Sequence, residues 1–189
     1  MYVTDVMIRQ VEEKYGEPRE VKFEFPMYPE EFRLLLHSMR ESRAHDITLF
    51  ILEGDSVVAI RKPNHPPGVY RAPSGGLEPG EDFEHGALRE AREETGLTIA
   101  LERYLLRSYV TFSHEGRRVP WVTHVLSARP LRGGLGPLDK REIADVRILK
   151  LRDLGTTVRD ALLASRSGGL HYRAALTDVV LEELDARVH

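Results

Sequence analysis

Gly75-Gly76-Leu77-Glu78-Pro79-Gly80-Glu81 leads into Asp82-Phe83-Glu84-His85-Gly86-Ala87-Leu88-Arg89-Glu90-Ala91-Arg92-Glu93-Glu94-Thr95-Gly96-Leu97. A glycine-punctuated loop here meets a helical pattern over Phe83 to Thr95. Glu81, Asp82 and Glu84 gather at its N-terminal end, where the helix dipole favours negative charge. Gly96 stands where a C-terminal cap belongs. At 100° per residue, Glu90, Glu93 and Glu94 fall within roughly 100° of one another, forming one carboxylate patch. Leu88, Ala91 and Thr95 mark the adjacent arc as the face that meets a sheet. Like charges one turn apart repel by a few tenths of a kcal/mol even when exposed, and more beside a sheet. A hard divalent cation removes the conflict, because Mg²⁺ takes carboxylate oxygens while keeping waters and substrate phosphates. Arg89, one turn before Glu93, is placed to hold that carboxylate. A cation beside a carboxylate base is equipment for hydrolysing a phosphoanhydride.

A bare E-x-x-E-E is ordinarily a solvated acidic helix face. The surrounding pattern decides otherwise. Gly75, Glu81, Arg89, Glu90, Glu93, Glu94 and Gly96 match G-x5-E-x7-R-E-U-x-E-E-x-G-U, with Ala91 and Leu97 at the two U positions. Seven fixed letters at these spacings arise by chance about once in 10⁶ chains of this length. The stretch resembles the Nudix box, with Ala91 small for a position that is usually bulky and aliphatic. The resemblance implies an α/β fold of Nudix type, an α/β/α sandwich with a mixed β-sheet. It implies hydrolysis of a nucleoside diphosphate linked to another moiety, with Mg²⁺ or Mn²⁺ as cofactor. Carried over by position, the Gly75 carbonyl, Glu90, Glu93 and Glu94 become metal ligands. Arg89 orients a box glutamate, and Glu81 braces the loop against the helix. The family's base sits on a box glutamate or on an acid from a later loop. Glu142, in Asp139-Lys140-Arg141-Glu142-Ile143-Ala144-Asp145, is the candidate for that later acid and for a further metal ligand. Asp139, Asp145 and Glu115 are weaker alternatives. Arg61, Lys62 and Arg71, on the strand and loop before the box, are the candidate phosphate contacts. Trp121, Tyr109 and Phe112 are candidate base-stacking aromatics, although a strand aromatic is more often core.

Outward from the box the chain is strand-rich. Ile47 to Leu52 and Val57 to Arg61 read as a hairpin turned at Glu53-Gly54-Asp55-Ser56. Lys62 to Gly68, with Pro63, Pro66 and Pro67, is a loop, and Val69 to Ala72 a short strand. Thr98 to Phe112 and Arg117 to Ala128 are long β-runs joined at Ser113-His114-Glu115-Gly116. Pro130 to Lys140 is a second loop, before a strand at Val146 to Leu151. Residues 1–45 read as an N-terminal extension that packs on the core or on a dimer partner. It comprises a short helix within Tyr2 to Tyr15, a period-2 strand at Val21 to Phe25, and a helix from Glu30 to about Arg43 opened by Pro29. Residues 46–189 form the hydrolase domain and its tail, two C-terminal helices between Thr156 and Val188 broken at Ser167-Gly168-Gly169.

Composition agrees. The 189 residues carry 27 Lys+Arg against 30 Asp+Glu, a formal net charge of -3, which disfavours a nucleic-acid or anionic-membrane coat. Arg117-Arg118 is too small a basic pair to argue for RNA, though a capped RNA end stays open as substrate. Cysteine is absent, so there is no disulfide scaffold and no thiolate chemistry. The missing thiol also disfavours the prenyl-diphosphate isomerases that share the fold. Met1 to Asp5 shows no signal-peptide n-region, and no apolar run approaches the ~20 residues of a membrane helix. A cytoplasmic location is the expectation. The histidines lack metal-ligand spacing. A regulatory domain that binds a nucleotide without turnover is the rival reading, and the intact carboxylates oppose it. Neither the S-Q-P-W-P-F-P-type stretch of the NADH-cleaving branch nor the proline expected about 15 residues after an ADP-ribose-type box is present. ADP-ribose or nucleotide sugars, nucleoside triphosphates (oxidised ones included) and dinucleoside polyphosphates stay open.

Overall fold

The computed structural model describes residues 3–39 and 43–186. In chain order the elements are α1 (Asp5–Tyr15), β1 (Arg19–Pro26), α2 (Pro29–Ser38), β2 (His45–Glu53), β3 (Ser56–Arg61), β4 (Ser74–Gly75), α3 (Phe83–Thr95), β5 (Thr98–His114), β6 (Arg117–Arg132), β7 (Asp145–Lys150), α4 (Leu151–Leu154), α5 (Thr157–Ala164) and α6 (Gly168–Asp185). The sheet runs β1-β5-β6-β2-β3-β7, with β4 on the free edge of β2.

Mixed pairing follows from the patterns. β2 lies centrally and is parallel to β6. Its run Asp46 to Ile51 is buried throughout, as a strand covered on both faces must be. β5 and β6 pair antiparallel along nearly their whole length, and β1 from the extension adds parallel to β5. The hairpin of β2 and β3 holds for only two residue pairs before β3 departs to pair with β7. Into that split come Ser74 and Gly75, opposite Thr48 and Ile47. The split therefore carries the loop of the box onto the sheet.

Two cores flank the sheet. Ile47, Leu49, Ile51, Leu126 and Ala128 meet Phe83, Ala87 and Ala91 of α3 and Val11 of α1. On the other face Phe50, Leu106, Val110 and Val125 meet Leu162 of α5 and Leu170, Leu176 and Val180 of α6. The result is the expected α/β/α sandwich.

Several expectations are corrected. The buried arc of α3 is Phe83, Gly86, Ala87, Ala91, Glu94 and Thr95, while Leu88 is exposed, because it sits about 140° round the helix from Phe83, whereas Glu94, three turns on, returns to the same side. Val69 to Ala72 is not a strand. Only Arg71 bridges, to Ile60, and Pro73 offers no N–H to continue a ladder. β5 and β6 run further than expected, to His114 and Arg132. α2 ends at Ser38, short of Arg43, and Arg40, Glu41 and Ser42 on that stretch lie outside the described residues. So do Tyr2 and Val188, the ends read for the first and last helices. The tail breaks at Ser165 to Ser167, and Gly168 and Gly169 open α6, because the Ser167 Oγ accepts from Leu170 N at 3.1 Å as its cap. Among the described residues no helix is long and apolar enough to cross a membrane.

Between α1, α3 and the sheet lies a buried polar chain. Arg107 Nε donates to the Tyr104 hydroxyl at 3.1 Å, which stands 2.5 Å from His124 Nδ1, while His124 Nε2 stands 3.2 Å from His45 Nδ1. With Tyr104 donating to Nδ1, His124 carries its proton on Nε2. Burial pushes the His124 pKa down to about 3, with His45 and Arg107 adding to the fall and Asp46 opposing it. Phe83 closes the pocket edge-on. A histidine held neutral in the fold but free to protonate near pH 6.5 when unfolded makes stability fall as pH drops below 6.5. Between pH 6.5 and 4.5 we expect thermal melts of His124→Gln to lose part of the wild-type slope, about 1.4 kcal/mol per pH unit at most. Identical slopes would remove His124 as the cause.

Candidate active site

The box helix is built by its caps. The Asp82 carboxylate accepts from Glu84 N and His85 N at 3.0 and 3.1 Å, and Gly96 closes the helix in the left-handed region at φ 77°. Arg89 then organises the box. Its Nε and Nη2 donate to the two Glu81 oxygens at 2.9 and 2.8 Å, and Nη2 also donates to the Gly76 carbonyl at 3.0 Å. Nη1 donates to Glu90 Oε1 and Glu93 Oε2, both at 3.0 Å. One guanidinium thus ties the loop at Gly76 and Glu81 to two glutamates of α3. The paired guanidinium holds the Glu81 carboxyl at about 2, as expected of a bidentate charge-assisted contact.

Gly75 packs where no side chain fits. A Cβ there would stand 1.9 Å from the Glu90 carboxyl carbon, so Glu90 lies directly over the backbone of Gly75. Glu94 goes deeper, its side chain 3% exposed. Glu94 Oε2 accepts from Ser74 N at 2.7 Å, whereas Oε1 is buried without a hydrogen-bond partner among the described residues. Lys62 Nζ stands 4.0 Å from that oxygen. Burial pushes the Glu94 carboxyl up to about 7, against the pull of Arg71 and Lys62, and burial likewise raises Glu90.

Glu142 is brought to the same place by the loop after β6. Gly136 N and Leu138 N donate to the Thr95 and Glu93 carbonyls, both at 2.9 Å, occupying acceptors that the end of α3 leaves open. Ile143 is buried and anchors the following turn. Glu142 then shares a cleft of about 370 Å³ with Glu93, Glu94 and Asp139, and Lys62 Nζ lies 3.4 Å from its Oε1.

The structure thus gathers Gly75, Glu81, Arg89, Glu90, Glu93, Glu94, Glu142 and Lys62. Arg71 adjoins them, its Nη1 donating to Ser74 Oγ at 2.7 Å. Arg61 stands near Tyr70 and His65. Gly96 only ends the helix. Asp139 is paired with Arg141, Asp145 with Tyr70 and Arg147, and Glu115 is exposed at the hairpin tip. The stacking candidates lie elsewhere. Trp121 is buried and donates to Asp46, Phe112 packs on Tyr172, and Tyr109 donates to Glu20.

Among the described residues no three His, Asp or Glu side chains stand at metal-ligand spacing, since Glu90 and Glu93 are drawn to Arg89. The donor set nevertheless fits a hard cation. It is all oxygen, and it includes a buried carboxylate oxygen with no hydrogen bond among the described residues and a carboxylate pressed on the Gly75 backbone.

Sequence reading missed Arg173 of α6. Its Nη2 donates to Asp46 Oδ2 and its Nη1 to Thr48 Oγ1, at 2.7 and 2.8 Å. Asp46 also accepts from Trp121 Nε1 and Thr123 Oγ1 at 2.7 and 2.6 Å. No local signal joins residues 127 positions apart.

Comparison with known proteins agrees with this fold. The NUDIX domain profile matches residues 42–168. The NAD-capped RNA hydrolase NudC of Stutzerimonas stutzeri (strain A1501) is 36% identical over 66 residues, 35% of this chain and 24% of that protein. The matched stretch therefore spans about a quarter of that curated relative. A crystal structure of UDP-X diphosphatase superposes with a TM-score of 0.56 at 16% identity, covering 82% of this chain and 71% of the other. A NUDIX hydrolase from Nitrosomonas europaea gives 0.55 at 18% identity, covering 76% and 89%. At these identities the likeness is one of fold.

Proposed function

The chain belongs to the NUDIX domain family, and from that premise we propose that it hydrolyses a phosphoanhydride bond in a nucleoside diphosphate linked to another moiety. The observation that carries the reading is Glu94, a carboxylate sunk beside the box loop with one oxygen left without a hydrogen bond among the described residues. Burying such an oxygen without a hydrogen bond is costly even with Lys62 4.0 Å away, and function is the usual reason it persists.

The Gly75 carbonyl, Glu90, Glu93, Glu94 and Glu142 are the ligands for Mg²⁺ or Mn²⁺. When bound, the cation supplies charge neutralisation for the diphosphate oxygens and polarisation of the attacked phosphorus. Arg89 and Glu81 hold the loop and helix in register, so that Gly75 faces the glutamates. Glu142 Oε1, with Lys62 Nζ at 3.4 Å, accepts the proton of the attacking water. Arg61, Lys62 and Arg71 set the phosphates, and Lys62, between Glu94 and Glu142, also faces the charge that develops on the leaving oxygen.

A panel of nucleotide sugars, ADP-ribose, nucleoside triphosphates, dinucleoside polyphosphates and NAD-capped RNA, with Mg²⁺ or Mn²⁺, tests this reading. The last is included because of the relative's name. At least one member should give two phosphorus-containing products, and none should do so in excess chelator. Binding without turnover across the whole panel would instead establish the rival, a nucleotide-binding domain. On the cleaved substrate, Glu142→Gln should lower kcat on the order of 10²-fold. An unaffected rate across pH would confine the base to the box glutamates.

A further inference from the structure

Arg71 is 8% exposed, yet among the described residues its hydrogen bonds are only those of Nη1, to the neutral Ala72 carbonyl and Ser74 hydroxyl. A guanidinium buried without a hydrogen-bonded carboxylate calls for an anion. It lies in the floor of a cleft of about 690 Å³, between the loop 62–68, the start of α2 and the α5–α6 junction. Arg173 shares that floor, held by Asp46 and Thr48. His65 does too, and its Nδ1 is buried with no partner among the described residues. The mouth has the opposite character. Tyr28 and Leu34, 53% and 63% exposed, are large apolar side chains left facing solvent at its rim, with Met27 beside them.

That rim is fixed in place. Met27 N donates to the Ser113 carbonyl at 2.8 Å, and Glu31 Oε2 accepts from Tyr28 N and Gly168 N at 3.2 and 3.1 Å. A Cβ on Gly168 would stand 1.8 Å from the Pro26 carbonyl oxygen, so the strand end and α6 touch through bare backbone. Cationic floor and aromatic rim match a molecule that is anionic at one end and flat at the other. The volume is that of an ordinary small-molecule site. The floor also joins the carboxylates directly, since Ser74 takes Arg71 on its hydroxyl and gives its N–H to Glu94.

We propose that this cleft binds the nucleoside phosphate half of the substrate, the phosphate on Arg71 and Arg173 and the base against Tyr28 and Leu34. The choice of base then rests with Tyr28, Leu34 and Arg173, all outside the matched span 42–168. The proposal rests on the hydrolase reading for its link to turnover, but its test needs none.

Calorimetric titration of the whole chain, without divalent cation, with AMP, GMP, CMP, UMP and ribose 5-phosphate provides that test. Tyr28→Ala should weaken the preferred nucleoside monophosphate about tenfold, the size of one base-aromatic stack, and leave ribose 5-phosphate unchanged. Arg71→Gln should weaken both kinds of ligand. An unchanged thermal melt of Tyr28→Ala, expected of an exposed side chain, would exclude misfolding as the cause. Equal affinity of wild type and Tyr28→Ala for every nucleotide, or no binding of any nucleoside monophosphate by the wild type, would overturn the assignment. Should the pattern hold while no diphosphate is cleaved, the hydrolase reading fails alone. Should cleavage occur with Tyr28→Ala indifferent, this inference fails alone.

Discussion

Glu94→Gln is expected to lower turnover by ~10³-fold or more while leaving the metal-free protein at least as stable as wild type. Loss of a group that only orients a metal ligand typically costs 10–100-fold, and Glu94 is assigned as a ligand itself. Stability moves the other way for a local reason. The amide oxygen still accepts from Ser74 N, which Glu94 Oε2 meets at 2.7 Å, and a neutral amide escapes the desolvation that drives this carboxyl up to about 7. Melting curves with and without Mg²⁺ or Mn²⁺ separate the two effects. Wild type should gain Tm on adding cation, and the variant should gain little. Near-normal turnover, or an undiminished gain in Tm, would remove Glu94 from the ligand set.

The second large effect lies in the polar knot beneath the cleft. Asp46→Ala should cost about 3–5 kcal/mol, because it leaves the Arg173 guanidinium uncompensated and strips the acceptor from Trp121 and Thr123. For a chain of this size that is a fall in Tm of roughly 10 °C. Replacing both charges, Asp46→Ala with Arg173→Met, should recover part of the loss, as apolar substitution of a buried pair often does. It should still lose affinity for ribose 5-phosphate, since the cleft floor has lost a cation. A double variant no more stable than Asp46→Ala alone would show that the loss comes from Trp121 and Thr123 rather than from the stranded charge.

These predictions draw on two kinds of residue, legible to different degrees. Glu90, Glu93 and Glu94 were visible in the chain because helix pitch acts over a few residues, so their spacing already states that they share a face, with Arg89 one turn before Glu93. The bracing role of Glu81 was legible only through the resemblance of the box. Glu142 was found because its loop resembles the one before the family's late strand, and only the turn anchored by Ile143 and the carbonyls of α3 brings it to Glu94. Leu88 illustrates the limit. Its spacing suits the buried arc, but the sheet selects the face through Phe83, and Leu88 turns outward. Trp121 had the chemistry for stacking on a base, yet β6 points it at Asp46 in the interior.

By itself, the sequence determined the box and its helix, the alternation of helix and strand, and the three glutamates that share one face of that helix. Each depends on neighbours within a turn or a strand. Tertiary structure alone decided that β3 leaves β2 so that Ser74 and Gly75 meet the sheet, that one arginine divides the glutamates, and that Tyr28, His65, Arg71 and Arg173 surround one cleft. Those contacts join residues up to 145 apart in number, by the arithmetic of Tyr28 and Arg173. They exist because burying both faces of one sheet forces the N-terminal strand and the C-terminal helix together, a constraint on the whole chain that no local spacing encodes.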